Sequence, residues 1–236
     1  MSRPLNNSID IVASPDFGNT LVVRTLGRQS YDKVFDAMRA FNDTRGAETE
    51  DEIWLVEHPP VYTLGLNCKS ASIQQPNDIP VVQTDRGGQI TYHGPGQIVV
   101  YTMIDLKRRG IGVKQLVHAM EQSVMDLLDE HGISSSRKQD APGVYVDGAK
   151  IAALGLRIRQ GGSYHGIALN VDMDLAPFSR IDPCGYPGLA TTQLKDLGIS
   201  LDVFAAGSRL VDHLVPALGY NGTRREQQPP EQLHHA

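Results

Sequence analysis

Apolar residues recur along this chain with two periods, one typical of amphipathic helices and one typical of strands. Apolar intervals of three and four predict helices over residues 30–42 and 113–130, and a further helix from residue 200 to about residue 218 contains Pro216. Short runs of β-branched and aromatic residues lie between glycine or proline turns. They predict strands at residues 20–24, 53–56, 61–65, 81–82, 89–106 (two strands around a tight turn), 143–146, 150–159 and 164–171.

Tight turns join many of these predicted strands, which indicates antiparallel pairing. Asp147-Gly148 and Gly161-Gly162 lie between neighbouring strands and are typical hairpin turns. Hairpins combined with a few helices laid on one side are typical of the α+β class, so we expect a mixed, largely antiparallel sheet flanked by helices. Because no linker rich in proline or serine divides the chain, we predict one domain over residues 1–220 and a disordered polar tail over residues 221–236.

Composition and charge narrow the functional classes. The 236 residues are 40% hydrophobic and 21% charged, as in a globular protein with a core, and the net charge is −5. A chain of this charge is not an electrostatic binder of nucleic acid. No apolar run approaches the ~20 residues that span a bilayer, and the first ten residues lack the apolar core of a signal peptide. We therefore expect a cytoplasmic protein without a membrane or nucleic-acid partner.

The two cysteines, Cys68 and Cys184, are expected to be reduced thiols and not a disulfide. They lie far apart in the sequence, and a cytoplasmic protein keeps its thiols reduced. Two cysteines without clustered histidines also argue against a structural zinc site, and we expect no metal. Free cysteine prefers the core, so Cys184, in a Pro-Cys-Gly turn, is a candidate nucleophile. Cys68 lies in a polar loop without a motif and is expected to be incidental.

Three further segments combine glycines with polar side chains. They contain the run Arg86-Gly87-Gly88-Gln89-Ile90-Thr91-Tyr92-His93-Gly94-Pro95-Gly96-Gln97, the strand that begins near Lys150, and the segment around His165-Gly166. Glycines on both sides of a polar strand let a ligand or another backbone approach closely. Taken singly, a glycine turn, a lysine at a strand start and a histidine beside a glycine are more often structural than functional. None matches a phosphate-binding loop, which precedes a helix.

Taken together and in this order, the four segments resemble the lipoyl(octanoyl) transferase family of lipoate biosynthesis. The run at 86–97 is highly specific to that family, and Lys150, His165-Gly166 and Pro183-Cys184-Gly185 follow where the family has them. The resemblance covers roughly residues 50–200. It implies the fold shared by biotin and lipoate protein ligases, a mixed sheet flanked by helices.

The resemblance also implies a reaction and a set of site residues. The family moves an octanoyl or lipoyl group from acyl carrier protein to a lysine on lipoyl domains, those of 2-oxoacid dehydrogenases and of the glycine cleavage H protein, without a cofactor. Cys184 would form an acyl thioester, with Lys150 as its partner. The remaining residues implied by the resemblance would bind substrate: Arg86, Gly87, Gly88, Gln89, Ile90, Thr91, Tyr92 and His93 on one wall, and Ala153, Leu154, Gly155, Gly166, Ile167 and Ala168 on the other.

Elementary chemistry is consistent with these roles. A free thiol has a pKa of ~8.5, so a nearby ammonium helps to form the thiolate. The acceptor lysine, with a pKa of ~10.4, must lose a proton before it can attack. Lys150 can serve both needs, but on sequence grounds alone His93 and His165 remain competing candidates for proton transfer.

Three alternatives remain at this stage. An ATP-dependent lipoate or biotin protein ligase on the same fold would need ATP and magnesium and no cysteine. A papain-like cysteine hydrolase would pair Cys184 with a histidine and release free acid, although its sequence signatures are missing. A binding module without activity is disfavoured by the presence of both Cys184 and Lys150.

The densest basic run, Lys107-Arg108-Arg109 with Lys114 nearby, is a candidate docking surface. Acyl carrier proteins are acidic and so is this chain, so their encounter needs a local concentration of positive charge. We expect this run to lie near the rim of the acyl site.

Overall fold

A computed structural model describes residues 19–68, 78–139, 141–181 and 189–234. It contains five α-helices within these residues, namely α1 Tyr31–Thr44, α2 Leu106–Arg109, α3 Val113–Asp129, α4 Val203–Ala217 and α5 Glu231–His234. The strands are β1 Thr20–Arg28, β2 Glu52–Glu57, β3 Val61–Leu64, β4 Val81–Gln83, β5 Ile90–His93, β6 Gln97–Met103, β7 Ser136–Arg137, β8 Gly143–Val146, β9 Ala149–Arg159, β10 Gly162–Asn170 and β11 Gly222–Glu226. Two short 3-10 helices within the same described residues span Ala176–Arg180 and Lys195–Leu197.

The strands form one large and one small sheet. The large sheet has eight strands in the order β11-β1-β2-β6-β10-β9-β8-β7, and only β1 pairs in parallel, with β11 and β2. The small sheet has the order β4-β3-β5. This architecture confirms the predicted α+β class with a mixed, largely antiparallel sheet flanked by helices.

Strict alternation along the central strands separates two hydrophobic cores. In β2, Ile53 and Leu55 pack with the core under α3 and α4, whereas Trp54 and Val56 pack with the core under α1. Successive side chains of a strand point to opposite faces, so a strand buried on both faces is apolar throughout. The helices therefore cover both faces of the sheet, whereas the sequence pattern had predicted helices on one side.

Two further details differ from the sequence predictions. The predicted disordered tail contributes β11, which pairs in parallel with β1 from Thr20↔Gly222 to Arg24↔Glu226. Strand β11 is polar because it lies at the edge of the sheet and is stabilised by ion pairs, including Arg24 with Glu226. Its composition therefore did not indicate a strand. Helix α4 begins after Asp202, whose side chain accepts hydrogen bonds from the Phe204 and Ala205 amides, and not after Ser200.

The register fixes which end of the sheet carries Lys150. Leu169 pairs with both Ile98 and Ala152, so Lys150 lies level with the Gln97 end of β6. Helix α2 follows the opposite end of β6, after Met103. The basic run at 107–109 is therefore distant from Lys150 along the sheet.

The basic run is also engaged within the fold. Arg108 forms an ion pair with the buried Asp51 at 2.7 Å, and Arg109 donates to the Gly219 carbonyl at 2.7 Å and stacks over the Tyr220 ring. These contacts do not support the docking role expected from the sequence. None of the described helices has the length and apolarity to cross a bilayer.

Candidate active site

Two adjoining cavities lie between the small sheet and strands β9 and β10. The inner cavity has a volume of about 50 Å³ and the outer cavity about 380 Å³. Arg86, Leu154 and Gly155 line both, so the cavities share a wall. Lys150 lines the outer cavity, together with Val117 of α3.

The cavities bring together most of the residues predicted to bind substrate. Thr91 and His93 of β5 line the inner cavity, and Gly87, Gly88 and Gln89 line the outer one. The opposite wall consists of the predicted residues Ala153, Leu154, Gly155, Gly166, Ile167 and Ala168. The structure therefore brings these residues together around the two cavities, and their role in binding substrate stays a prediction.

Ile90 and Tyr92 are the exceptions among the predicted binding residues. Both point to the other face of β5, into a separate apolar cluster with Tyr62, Met173 and Phe178. Since side chains alternate along a strand, a contiguous motif cannot present all its members to one cavity. These two residues thus pack in an apolar cluster and line neither of the two cavities.

Gly166 shows why the wall formed by β10 contains small residues. A β-carbon at this position would lie 1.9 Å from the Val100 carbonyl oxygen of the neighbouring strand β6. Only glycine permits this approach between the two backbones. This close contact with β6 holds β10, which forms part of the cavity wall, in place.

Lys150 is a buried lysine with contacts on several sides. It is 7% exposed, its Nζ donates to the Pro142 carbonyl at 3.2 Å, and Nζ lies 5.2 Å from the centre of the Tyr145 ring. A carbonyl oxygen and an aromatic face both favour the charged ammonium. The ammonium is therefore held in a defined place at the outer cavity.

The predicted nucleophile Cys184 lies outside the described residues. The chain that follows it returns to Lys150: the Lys150 amide donates to the Ala190 carbonyl at 2.8 Å, and the Thr192 amide donates to the Lys150 carbonyl at 3.0 Å. Ala190 is six positions after Cys184 (190 − 184). Six residues of extended chain span at most about 20 Å, so connectivity limits the separation between Cys184 and Lys150.

Arg86 forms the partition between the two cavities. Its guanidinium donates to the Thr63 carbonyl at 2.7 Å, to Thr63 Oγ1 at 2.8 Å and to the Gly87 carbonyl at 3.0 Å. Buried guanidinium groups with several acceptors are rigid. Arg86 thus fixes the glycine-rich loop over β9 and adds positive charge to the wall.

His165 lies against the inner cavity in a strained conformation. Its φ angle of 62° is in the left-handed region, which a non-glycine residue adopts only at a cost of about 1–3 kcal/mol. Its Nε2 lies 2.9 Å from Asp85 Oδ1, and the Tyr164 hydroxyl donates to the other Asp85 oxygen. Because a carboxylate only accepts, Nε2 carries the hydrogen, and the buried Nδ1 is a bare acceptor with no partner among the described residues.

His93 is oriented by a chain of amides. Its Nδ1 lies 2.7 Å from the Gln97 amide oxygen, and the Gln97 amide nitrogen donates to Asn170 at 2.9 Å. The Gln97 oxygen can only accept, so Nδ1 of His93 carries the hydrogen and its Nε2 is an acceptor. A third histidine, His58, lies between the Gln29 carbonyl and the Tyr101 hydroxyl, each at 2.8 Å.

All three histidines are held in the neutral form. Burial lowers the pKa of His58 to about 4 and that of His93 to about 3, and it also lowers the pKa of His165 despite the neighbouring Asp85. The Arg86 guanidinium further lowers the pKa of His93 and of His165. The inner cavity therefore carries uncharged imidazoles at neutral pH, which suits an apolar ligand.

Several residues of the site gave no signal in the sequence. Tyr31, Val99 and Tyr101 line the inner cavity but belong to patterns that are equally typical of core residues. Asp85 could have been noticed only because it directly precedes the motif at 86–97. Among the described residues, no group of three or more potential metal-binding side chains is close enough to hold an ion.

Comparisons with known proteins identify the family of the chain. Residues 30–214 match the family model of the lipoyl protein ligase A/B catalytic domain. The chain is 58% identical to an octanoyltransferase of Chromobacterium violaceum, over 82% of this chain and 93% of the relative. It is 60% identical to an octanoyltransferase of Aromatoleum aromaticum, over 84% of each chain.

The fold has solved counterparts at low sequence identity. A chain from the structure of a bi-partite lipoate protein ligase and its E2 lipoyl domain from Thermoplasma acidophilum superposes with a TM-score of 0.72 at 13% identity, over 93% of this chain and 90% of that chain. At this identity the likeness concerns the fold alone. The family model and the relatives decide the family: the chain belongs to the octanoyltransferase family, within the family of the lipoyl protein ligase A/B catalytic domain.

Proposed function

We propose that the protein transfers an octanoyl group from acyl carrier protein to a lysine of a lipoyl domain, through a thioester on Cys184. The observation that carries the proposal is the arrangement around Lys150. This buried ammonium lines a cavity bounded by the family's motif residues, and the chain that follows Cys184 pairs with it. The identity of 58–60% with octanoyltransferases supports the choice of acyl group.

In the first half of the proposed reaction, the Cys184 thiolate attacks the thioester carbonyl of the acyl donor. A carbon–sulfur bond forms to Cys184, and the bond to the carrier's sulfur breaks. The Lys150 ammonium gives its proton to the departing sulfur and becomes neutral. The products are the acyl-enzyme and the carrier thiol, so charge and protons balance.

In the second half, neutral Lys150 takes a proton from the incoming lysine ammonium. The resulting amine attacks the thioester on Cys184, an amide bond forms, and Cys184 leaves as thiolate. The second proton of the amine passes to water. A thioester is less stable than an amide, so the transfer needs no ATP, and the Cys184 thiolate and Lys150 ammonium are restored.

The inner cavity, at about 50 Å³, is smaller than an eight-carbon chain, so in this scheme the acyl chain occupies the inner and outer cavities together. The inner wall of Ala153, Leu154, Ile167 and Ala168 is aliphatic, and the imidazole of His93 beside it is neutral. Saturated chains bind by burial of apolar surface, at about 25 cal/mol per Å². His93 and His165 accordingly act as uncharged lining groups, and Lys150 carries the proton.

The proposed partners follow from the reaction. The donor is octanoyl-acyl carrier protein, and the acceptors are lipoyl domains of 2-oxoacid dehydrogenases and the glycine cleavage H protein. Since these reactions belong to the cytoplasm of a bacterium, we propose that the protein works there.

Intact-mass measurement tests the acyl-enzyme directly. Incubation with octanoyl-acyl carrier protein, without acceptor, ATP or magnesium, should add one octanoyl group to the peptide that contains Cys184. Cys184→Ser should lose this adduct and turnover, because a neutral hydroxyl is a far weaker nucleophile. Cys68→Ser is the matched control and should retain both.

Two results would contradict the proposal. An adduct elsewhere, or wild-type turnover in Cys184→Ser, would remove the thioester mechanism. Turnover that requires ATP and magnesium would favour the lipoate or biotin ligase alternative, whose fold this chain shares.

A further inference from the structure

Helix α3 presents a buried carboxylate toward the segment that holds Lys150. Val117 lines the outer cavity, and Glu121, one turn later on the same helical face, is only 6% exposed. Glu121 Oε1 accepts a hydrogen bond from the Gly143 amide at 2.8 Å. The catalytic scheme proposed above assigns no role to this carboxylate.

Gly143 links Glu121 to Lys150. Its φ angle of 135° favours glycine, and a β-carbon there would lie 2.4 Å from the Ala152 carbonyl oxygen and 3.1 Å from Lys150 Cε. The residue before it, Pro142, provides the carbonyl that accepts from Lys150 Nζ. The peptide group between Pro142 and Gly143 thus joins Glu121, through its N–H, to Lys150, through its C=O.

We propose that Glu121 is a positioning residue for Lys150, acting through the Pro142–Gly143 peptide. The carboxylate orients this peptide so that its carbonyl faces the ammonium. A peptide polarised by an anion at its N–H is also a stronger acceptor at its oxygen. The inference rests on the proposed role of Lys150 as proton carrier, and it adds a residue that touches neither substrate.

Several other charged or titratable groups among the described residues lie around Lys150 and Glu121. Arg137 of β7 pairs with Glu121 at 3.3 Å, and Lys138 lies over the Tyr145 ring, on which Lys150 also packs. Arg86 lies across the outer cavity. These are three cations and one tyrosine, so among the described residues Glu121 is the only carboxylate in this set.

Two substitutions at one position separate orientation from charge. Glu121→Gln keeps an oxygen that can accept from Gly143, whereas Glu121→Leu keeps the bulk and leaves the amide without an acceptor. Glu52→Gln is the matched control, because Glu52 is also 6% exposed and also paired with an arginine, Arg24, but lies at the Met103 end of the sheet. Each variant is assayed for octanoyl transfer and for melting temperature.

The decisive readout is the pH dependence of amine labelling at Lys150. Trace labelling with acetic anhydride, followed by mass spectrometry of the peptide that contains Lys150, gives a midpoint without any acyl transfer. We expect Glu121→Leu to move this midpoint to lower pH by about half a unit or more, because an ammonium whose contact with the Pro142 carbonyl is weakened is less stable. Its kcat should fall at least tenfold with little change in KM, and Glu121→Gln should recover most of kcat.

The outcomes separate this inference from the proposed function. An unchanged midpoint and kcat in Glu121→Leu would overturn it, as would equal losses in Glu121→Leu and Glu52→Gln at equal melting temperature. If Lys150 proved dispensable for transfer, its proposed role as proton carrier would fail, yet a shifted midpoint would still show that Glu121 acts on Lys150.

Discussion

Lys150 combines three tasks in one residue position. Its backbone N–H and C=O hold residues 190–192, while its ammonium faces the outer cavity. A lysine at a strand start is ordinarily a solvated side chain, but here it is buried against Tyr145. The backbone therefore secures the segment that follows Cys184, while the side chain lines the outer cavity, where we propose that it carries the proton.

Substitution of Lys150 distinguishes the effect of its positive charge on Cys184 from its proposed role in proton transfer. Lys150→Arg keeps a cation that cannot lose a proton at working pH. We expect it to react with iodoacetamide at Cys184 faster than Lys150→Ala does, yet to transfer the acyl group about 10²- to 10⁴-fold more slowly than wild type. Stopped-flow alkylation and single-turnover transfer measure the two effects. Unchanged alkylation and transfer in both variants would point to His93 or His165 as the partner of Cys184.

Strands β5, β6 and β10 together surround a group of buried imidazoles. Tyr31 stacks on His93 with ring centres 5.7 Å apart, Phe35 stacks on His165 at 5.4 Å, and Tyr101 donates to His58. These contacts replace water around each imidazole ring. A proton added to any of the three rings would therefore create a buried charge, which is unfavourable. The elements that shape the cavity therefore make the fold sensitive to acid.

The stability of the fold should accordingly depend on pH. The unfolded histidine has a pKa near 6.5, and the folded pKa of His58 is about 4. Between these values the unfolded chain binds a proton that the folded chain does not, so the free energy of unfolding falls as pH falls from about 6.5 to about 4, by up to about 1.4 kcal/mol per pH unit. His58→Gln, which can donate to Gln29 and accept from Tyr101, should reduce this slope when urea unfolding is measured across the range.

A matched control checks that the slope belongs to the buried ring. His118 lies exposed on α3, and His118→Gln makes the same replacement there. An equal reduction of the slope in both variants would contradict the assignment to His58.

Most helices and strands could be predicted from local sequence patterns, but the direction in which each of their side chains points could not. The amphipathic stripe predicted α3 at 113–130, and the structure has Val113–Asp129. The sequence could not show that alternate members of the motif at 86–93 face opposite cores, because both faces of β5 are covered. Asp85 and Glu121 were missed for a related reason: their contacts are with His165 and Gly143, which lie 80 and 22 positions away in the sequence.

At the scale of the whole molecule, the tail covers the outer edge of β1 with a polar edge strand. The chain from 221 onward adds β11 beside β1, and Leu233 of α5 packs against the core under α1. Ending the chain after Tyr220 should therefore lower the melting temperature by several degrees and promote aggregation, because it exposes an unpaired strand. Calorimetry and light scattering measure both effects.

A second truncation separates the strand from the helix. Ending the chain after Gln228 keeps β11 and removes α5, and we expect it to retain most of the stability. If ending the chain after Tyr220 left stability unchanged, the tail would behave as the disordered segment that its composition indicates.

The pairing of β1 with β11 joins distant parts of the chain, so it can form only late in synthesis. The outer edge of β1 cannot be covered until Gly222, which pairs with Thr20 and lies 202 positions later (222 − 20), has been synthesised. At translation rates of about 5–20 residues per second, this interval lasts about 10–40 s. During that time the outer edge of β1 has no partner strand, so we expect a synthesis product that ends before residue 222 to be prone to self-association.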